Sequence, residues 1–235
     1  MIKSQYKVIG VMSGTSLDGI DLVYATFSFD NIWNFQILYA DTIAYNEYWN
    51  STLKDLVVLS KIELRQIDED YTKYLASKIK DFILRHHINE IDAICTHGHT
   101  ALHQPHKKMT FQIGNLPILA SLLKQTIVCD FRVQDVELGG QGAPLVPIGD
   151  ALLFSQYEFC LNLGGFANIS YEIDNQIIAY DICPVNIVLN HYVRSLGYDY
   201  DDGGRIAFTG KTNIDLLKQL NNLDFYKKTF PKSLG

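Results

Sequence analysis

The sequence reads as an α/β protein built on mixed sheets, and three observations carry that reading. Three runs rich in β-branched and aromatic residues follow one another between residues 6 and 45. A helical period takes over from 47 to 87. Beyond 91, strand-like and helix-like stretches alternate.

The first three runs, YKVIGVM, IDLVYATFSF and NFQILYADTIAY, are parted by turn signals at Ser13-Gly14 and Asp30-Asn31, which predicts an antiparallel meander. From Glu47 to His87, Leu64, Ile67, Tyr71, Tyr74, Leu75, Ile79, Phe82 and Ile83 recur at three- and four-residue steps. Two helices are expected there, the second long. Next come a strand at 91–97, a histidine-rich loop, a short strand MTFQI, a helix at 116–124 and a strand at 126–131. The stretch VELGGQGAPLVPIGD, 136–150, holds four glycines and two prolines and reads as a domain crossover or a site loop, not as ordinary helix. A helix is expected at 149–156. After it, EFCLNLGGFANISYEID repeats the device of the first strand: an apolar run enters a small-residue loop and returns as a strand. QIIAYDI reads as a further strand, Pro184 as the start of a helix closed at Gly197, and 212–220 as one more helix.

Composition narrows the function. With 235 residues, 47% of them hydrophobic, the chain can fill one large core or two smaller ones. The net charge of −6 and the scattered basic residues argue against nucleic acid as a partner. No apolar run is long enough for a membrane helix and the first residues do not read as a signal peptide, so no membrane and a cytoplasmic location are expected. Cys95, Cys129, Cys160 and Cys183 are widely spaced and read as reduced fillers.

Four stretches carry candidate chemistry. GVMSGTSLDG presents backbone N–H groups and hydroxyls suited to phosphate oxygens, with Asp18 acting through a divalent cation; the alternative is a plain hairpin turn capped by Asp18. Asp181, at a strand end before Pro184, reads either as a general base held ionised by a helix start or as a capping residue. THGHTALHQPH gathers His97, His99, His103 and His106, which suggests hydrogen-bond donors to an oxygen-rich ligand or, without an evident closing cysteine or carboxylate, zinc. In FRVQDVELGGQGAP, Arg132 is placed to clamp a carboxylate or to pair with Asp135. YDYDDGGRIAFTG reads as a solvated turn leading into a helix.

Taken in order, GVMSGTSLDGID, THGHTALHQP, FQIGN, DFRVQDVELGGQGAPLVP, LNLGGFANIS, DICPVN and PKSLG resemble the landmarks of the anhydro-N-acetylmuramic acid kinases, members of the sugar kinase, Hsp70 and actin superfamily. The resemblance implies an actin-like, ribonuclease H-like two-domain ATPase fold, with residues 1–130 as domain I and 131–235 as an incomplete domain II. It implies that ATP, with Mg²⁺, phosphorylates O6 of anhydro-N-acetylmuramic acid while water opens the 1,6-anhydro bridge, in cell-wall recycling. By position, Gly14, Thr15, Ser16, Leu17, Asp18, Gly19, Ile20 and Asp21 fall on the first phosphate loop, with Asp18 toward the metal. Asn162, Gly164, Gly165 and Asn168 fall on the second. Asp181 falls on the catalytic base, and His97, His99, Arg132 and Gln141 on the sugar side. A homodimer is a further implication. Two departures stand out: Ile182 and Val185 replace glycines of the common D-C-G-P-G-N pattern, and family members continue well beyond PKSLG. The expectation is that these 235 residues alone have no substantial kinase activity, and that the uncovered second domain exposes apolar surface.

Overall fold

Residues 3–14, 17, 19–143 and 145–234 are described by the computed structural model. They form two compact units, Met1–Val146 and Pro147–Gly235.

The first unit opens with the expected meander: β1 (Gln5–Ser13), β2 (Ile20–Asp30) and β3 (Ile32–Ile43), antiparallel throughout. Two helices follow, α1 (Glu47–Lys54) and α2 (Lys61–Arg85). A capping box fixes the start of α2: Ser60 Oγ accepts from Glu63 N–H, and the Glu63 carboxylate accepts from Ser60 N–H. Its periodic face is buried, and Leu75, Ile79 and Phe82 meet Ile9, Val11, Ile20, Leu22 and Ile94 of the sheet. Each such side chain contributes about 1.5–3 kcal/mol by leaving water, so this seam holds the layer together.

β4 (Ala93–Gln104) corrects the sequence reading. It was expected to end at His97 in a loop, but it runs on through His97, His99 and His103. The cause is β5 (Met109–Ile113), which pairs antiparallel with the second half of β4: His99 faces Ile113, Thr100 faces Gln112 and His103 faces Thr110. α3 (Ile118–Leu123) and β6 (Ile127–Val128) follow. The sheet order is β3-β2-β1-β4-β5 with β6 beside β4, and the β1–β4 and β4–β6 pairings are parallel. The strand expected at 126–131 is therefore cut short. Asp130 turns the chain with φ 58, and α4 (Phe131–Glu137) begins, so Arg132 lies on a helix.

The stretch 136–150 is also more helical than expected, because α5 (Leu145–Leu153) takes up its second half. Pro147 sits in the first turn of α5, where the missing N–H forfeits no helical bond.

In the second unit, β7 (Phe159–Leu163), β8 (Phe166–Ile173) and β9 (Gln176–Pro184) form an antiparallel sheet in that order. Pro184 closes β9, and α6 (Asn186–Arg194) begins two residues later, not at the proline. The helices α7 (Arg205–Phe208), α8 (Ile214–Asn221) and α9 (Asp224–Lys227) complete the unit. Asp201 accepts from Ile206 N–H and Ala207 N–H at the head of α7, which makes the acidic turn a cap. Among the described residues of this unit only Ala167, Ser170 and Val193 are buried. Phe159, Leu161 and Leu163, alternate residues on one face of β7, stay exposed, as do Ile187, Val188 and Leu189 of α6.

The four cysteines are unpaired and partly buried. Among the described residues, no helix is long and apolar enough to cross a membrane.

Candidate active site

The first glycine loop joins β1 to β2, closed at its foot by the Ser13–Ile20 pair. Thr15, Ser16 and Asp18 lie outside the described residues, and with Asp18 so does the expected metal contact. Gly14 carbonyl accepts from Leu17 N–H at 3.3 Å, and Leu17 carbonyl accepts from the side-chain amide of Asn50 at 3.3 Å, an anchor that sequence reasoning missed. Ile20 is a fully buried core residue, and Asp21 accepts from Thr42 hydroxyl at 2.6 Å on the exposed side of β2. Gly19 packs directly on backbone: a Cβ there would lie 2.4 Å from Ile43 carbonyl oxygen. Gly19→Ala is expected to lower stability by about 1–3 kcal/mol, measured by urea denaturation, since backbone cannot yield as a side chain can.

The foot of this loop is a buried polar cluster. Ser13 Oγ lies 2.6 Å from Tyr45 Oη, 2.6 Å from Tyr71 Oη and 3.1 Å from His99 Nδ1, and the two tyrosine hydroxyls are 2.7 Å apart. Ser13 and His99 are each 2% exposed. Burial, with His97 close by, pushes the His99 imidazolium down to about 4, so the ring is neutral at neutral pH. Burial also raises both phenols, Tyr71 well above its usual range, and keeps them protonated.

A second polar group surrounds Arg132. Its Nε donates to Gly142 carbonyl and its Nη1 to Thr100 hydroxyl at 3.3 Å, while Nη2 lies 3.5 Å from His103 Nε2. Asp135 does not pair with Arg132; it accepts from Gly142 N–H at 2.6 Å, so both side chains clasp the same glycine from one helix. Gly142 has φ +72, and a Cβ there would press on Val136 and His103. His103 Nδ1 lies 3.2 Å from Thr110 hydroxyl, to which Gln112 Nε2 donates at 2.6 Å. Gln112 is 5% exposed, and its Oε1 is buried without a partner. His97 is half-buried, with Nδ1 3.0 Å from Gly98 carbonyl; burial, and then the Arg132 charge, lower its basicity. Gln141 is exposed in the glycine turn. The turn thus brings Arg132, His103, Thr100 and Thr110 together, and of these four Thr110 lies outside the stretches read from sequence as facing a ligand. Among the described residues no three His, Cys, Asp or Glu side chains gather as a metal would require, which leaves the zinc reading of the histidines without support.

The second glycine loop lies between β7 and β8. Register across the sheet sets Asn162 opposite Asn168 and Asn168 opposite Asp181, so the three stand in one row and share a face. Gly164 carbonyl accepts from Asn186 N–H, and Gly165 carbonyl from Val185 and Ile187 N–H, which ties the loop to the head of α6. Val185 makes this turn with φ −129 and ψ −100, outside the helical and extended regions that a β-branched residue favours. Asp181 lies within β9, not at a helix start. Its Oδ2 accepts from Leu234 N–H at 2.8 Å and from Ser233 hydroxyl at 3.2 Å, and its own N–H donates to Lys232 carbonyl at 2.9 Å. The segment at 232–234 thereby holds the carboxylate from the edge of the sheet.

The sequence profile described as anhydro-N-acetylmuramic acid kinase matches residues 6–235. The chain belongs to the anhydro-N-acetylmuramic acid kinase family. Similar proteins bearing that name include those of Haemophilus influenzae, 34% identical over 246 residues, Pasteurella multocida, 37% over 239, and Pseudomonas syringae, 35% over 237. They cover 100%, 97% and 97% of this chain, but the chain spans only 63%, 63% and 64% of their lengths. Family membership thus extends over both glycine loops, the Arg132 group and the Asn162–Asn168–Asp181 row.

Proposed function

We propose that the chain is the greater part of an ATP-dependent kinase that opens the 1,6-anhydro bridge of anhydro-N-acetylmuramic acid and phosphorylates O6, on an actin-like two-domain fold. The observation that carries the reading is the row Asn162–Asn168–Asp181 beside the Gly164-Gly165 turn. Glycine at 164 and 165 has no internal cause: neither has positive φ, and a Cβ at either would meet only ordinary contacts of 3.7 Å or more. What glycine offers there is close approach of a ligand to backbone amides, as a phosphate chain requires.

In the proposed reaction Asp181 takes a proton from water as the water oxygen bonds to the anomeric carbon. The bond from that carbon to O6 breaks, and O6 takes the γ-phosphoryl group, releasing ADP. ATP with Mg²⁺ would supply the phosphoryl group and neutralise its charge. Ser233 and Leu234 hold Oδ2 of the base and thereby orient Oδ1. Arg132, beside His103 and with its charge acting on the half-buried His97, is the proposed sugar-side group, its cation suited to the lactyl carboxylate.

Gly165→Ala is expected to weaken ATP binding at least tenfold in calorimetry while stability stays within about 0.5 kcal/mol of the parent, as for an unconstrained surface position. Unchanged affinity would remove this loop from the nucleotide site. A second reading, a weak nucleotide- or sugar-binding module of the same fold, is favoured by the few buried residues among those described in the second unit. ATP binding without turnover in any form of the protein would select it.

A further inference from the structure

The Ser13 cluster carries a proton count that decides the state of His99. Four contacts join four atoms: Ser13 Oγ to Tyr45 Oη, Ser13 Oγ to Tyr71 Oη, Tyr45 Oη to Tyr71 Oη, and Ser13 Oγ to His99 Nδ1. Each hydrogen bond needs one hydrogen, and three hydroxyls supply three. If His99 Nδ1 were bare, one of the four contacts would have none, and two oxygens 2.6 or 2.7 Å apart without a hydrogen repel. With a hydrogen on Nδ1 the count closes: the hydroxyls donate around their ring and His99 donates to Ser13 Oγ, which accepts two bonds and donates one. Ser13, Tyr71 and His99 are buried and Tyr45 is half-buried, so an unmade bond at the Ser13 hydroxyl has no solvent replacement. Its cost outweighs the small intrinsic preference between imidazole tautomers.

We infer that Ser13, Tyr45 and Tyr71 are positioning residues that hold His99 as its Nδ1–H tautomer, leaving Nε2 as a hydrogen-bond acceptor. The ligand group that His99 takes is then a donor, a sugar hydroxyl or amide N–H, and not a phosphate or carboxylate oxygen. This reverses the donor role expected of the histidines from sequence, and its ligand half rests on the proposal that His99 stands on the sugar side. It also ties the two halves of the unit's chemistry together, since Ser13 is the last residue of β1 before the first glycine loop.

The test is long-range ¹H–¹⁵N NMR of the histidine rings in the labelled 235-residue chain, with His99 assigned by loss of its signals in His99→Asn. The expected spectrum shows a protonated Nδ1 and a bare Nε2; a protonated Nε2 or a mixture overturns the inference. Tyr45→Phe removes one hydroxyl and two contacts, so two hydroxyl hydrogens then suffice for the two that remain, and the tautomer is expected to become mixed. Persistence of pure Nδ1–H in that variant also counts against the hydroxyl ring as its cause. Tyr71→Phe provides the same readout should Tyr45→Phe fail to fold. Adding an N-acetylated muramic sugar should shift the Nε2 resonance, whereas inorganic phosphate should not. A parent spectrum with the expected tautomer but no response to the sugar removes His99 from the sugar site and leaves the positioning role standing.

Discussion

Asp181→Asn is expected to lower turnover of anhydro-sugar and ATP by about 10²- to 10⁴-fold, the range of a lost general base, with ATP affinity unchanged. The amide keeps the shape of the carboxylate and its Oδ can still accept from Leu234 N–H and Ser233 hydroxyl, so the local sheet edge survives. What is lost is the capacity to take a proton from water. The comparison is made in the chain joined to the part of the Haemophilus influenzae relative that it does not span. A fall in ATP affinity equal to the fall in turnover would make Asp181 a binding residue instead.

The second large effect concerns the uneven cores. The first unit buries Ile9, Ile20, Leu75, Ile79, Phe82 and Ile94 completely, whereas among the described residues of the second only Ala167, Ser170 and Val193 are buried. Opening free energy follows buried apolar contact, so amides of β8 and β9 are expected to exchange with solvent on the order of 10²-fold faster than those of β1, β4 and α2. Hydrogen exchange read by mass spectrometry checks this. The apolar residues Leu161, Leu163, Ile187 and Leu189 of β7 and α6 face water, so their elements are expected among the fast-exchanging ones. Equal protection in both units of the chain alone would show that the second finds its stability elsewhere.

The meander and α2 are legible in the sequence because their burial follows a simple period: alternate residues in β1 and β2, and every third or fourth residue from Leu64 to Phe82. The second half of β4 is not, because its inward positions include His99, and its polar residues find partners through β1, β5 and α4. A strand whose polar groups are satisfied by distant side chains reads as a loop. The helix at 131–137 was hidden for a related reason: it is short, and Asp130 starts it from a left-handed conformation that no capping motif announces. Of the site, the glycine loops and Asp181 stand out as residue patterns. The Ser13 cluster does not, since its members lie 26 to 86 residues apart and gain meaning only when the sheet and α2 bring them together. Ser233 and Leu234 are likewise invisible as partners of Asp181 until the chain returns along the edge of β9.

The central claim is that Asp181 directs water to the anomeric carbon while O6 takes phosphate. The completed protein, given anhydro-N-acetylmuramic acid, ATP and Mg²⁺ in ¹⁸O-water, tests it in one mass spectrum. The account predicts N-acetylmuramic acid 6-phosphate with one ¹⁸O on the anomeric carbon, formed with Asp181 intact and lost in Asp181→Asn. A product formed at the same rate by Asp181→Asn, or no sugar phosphate from a protein that binds ATP, would contradict it.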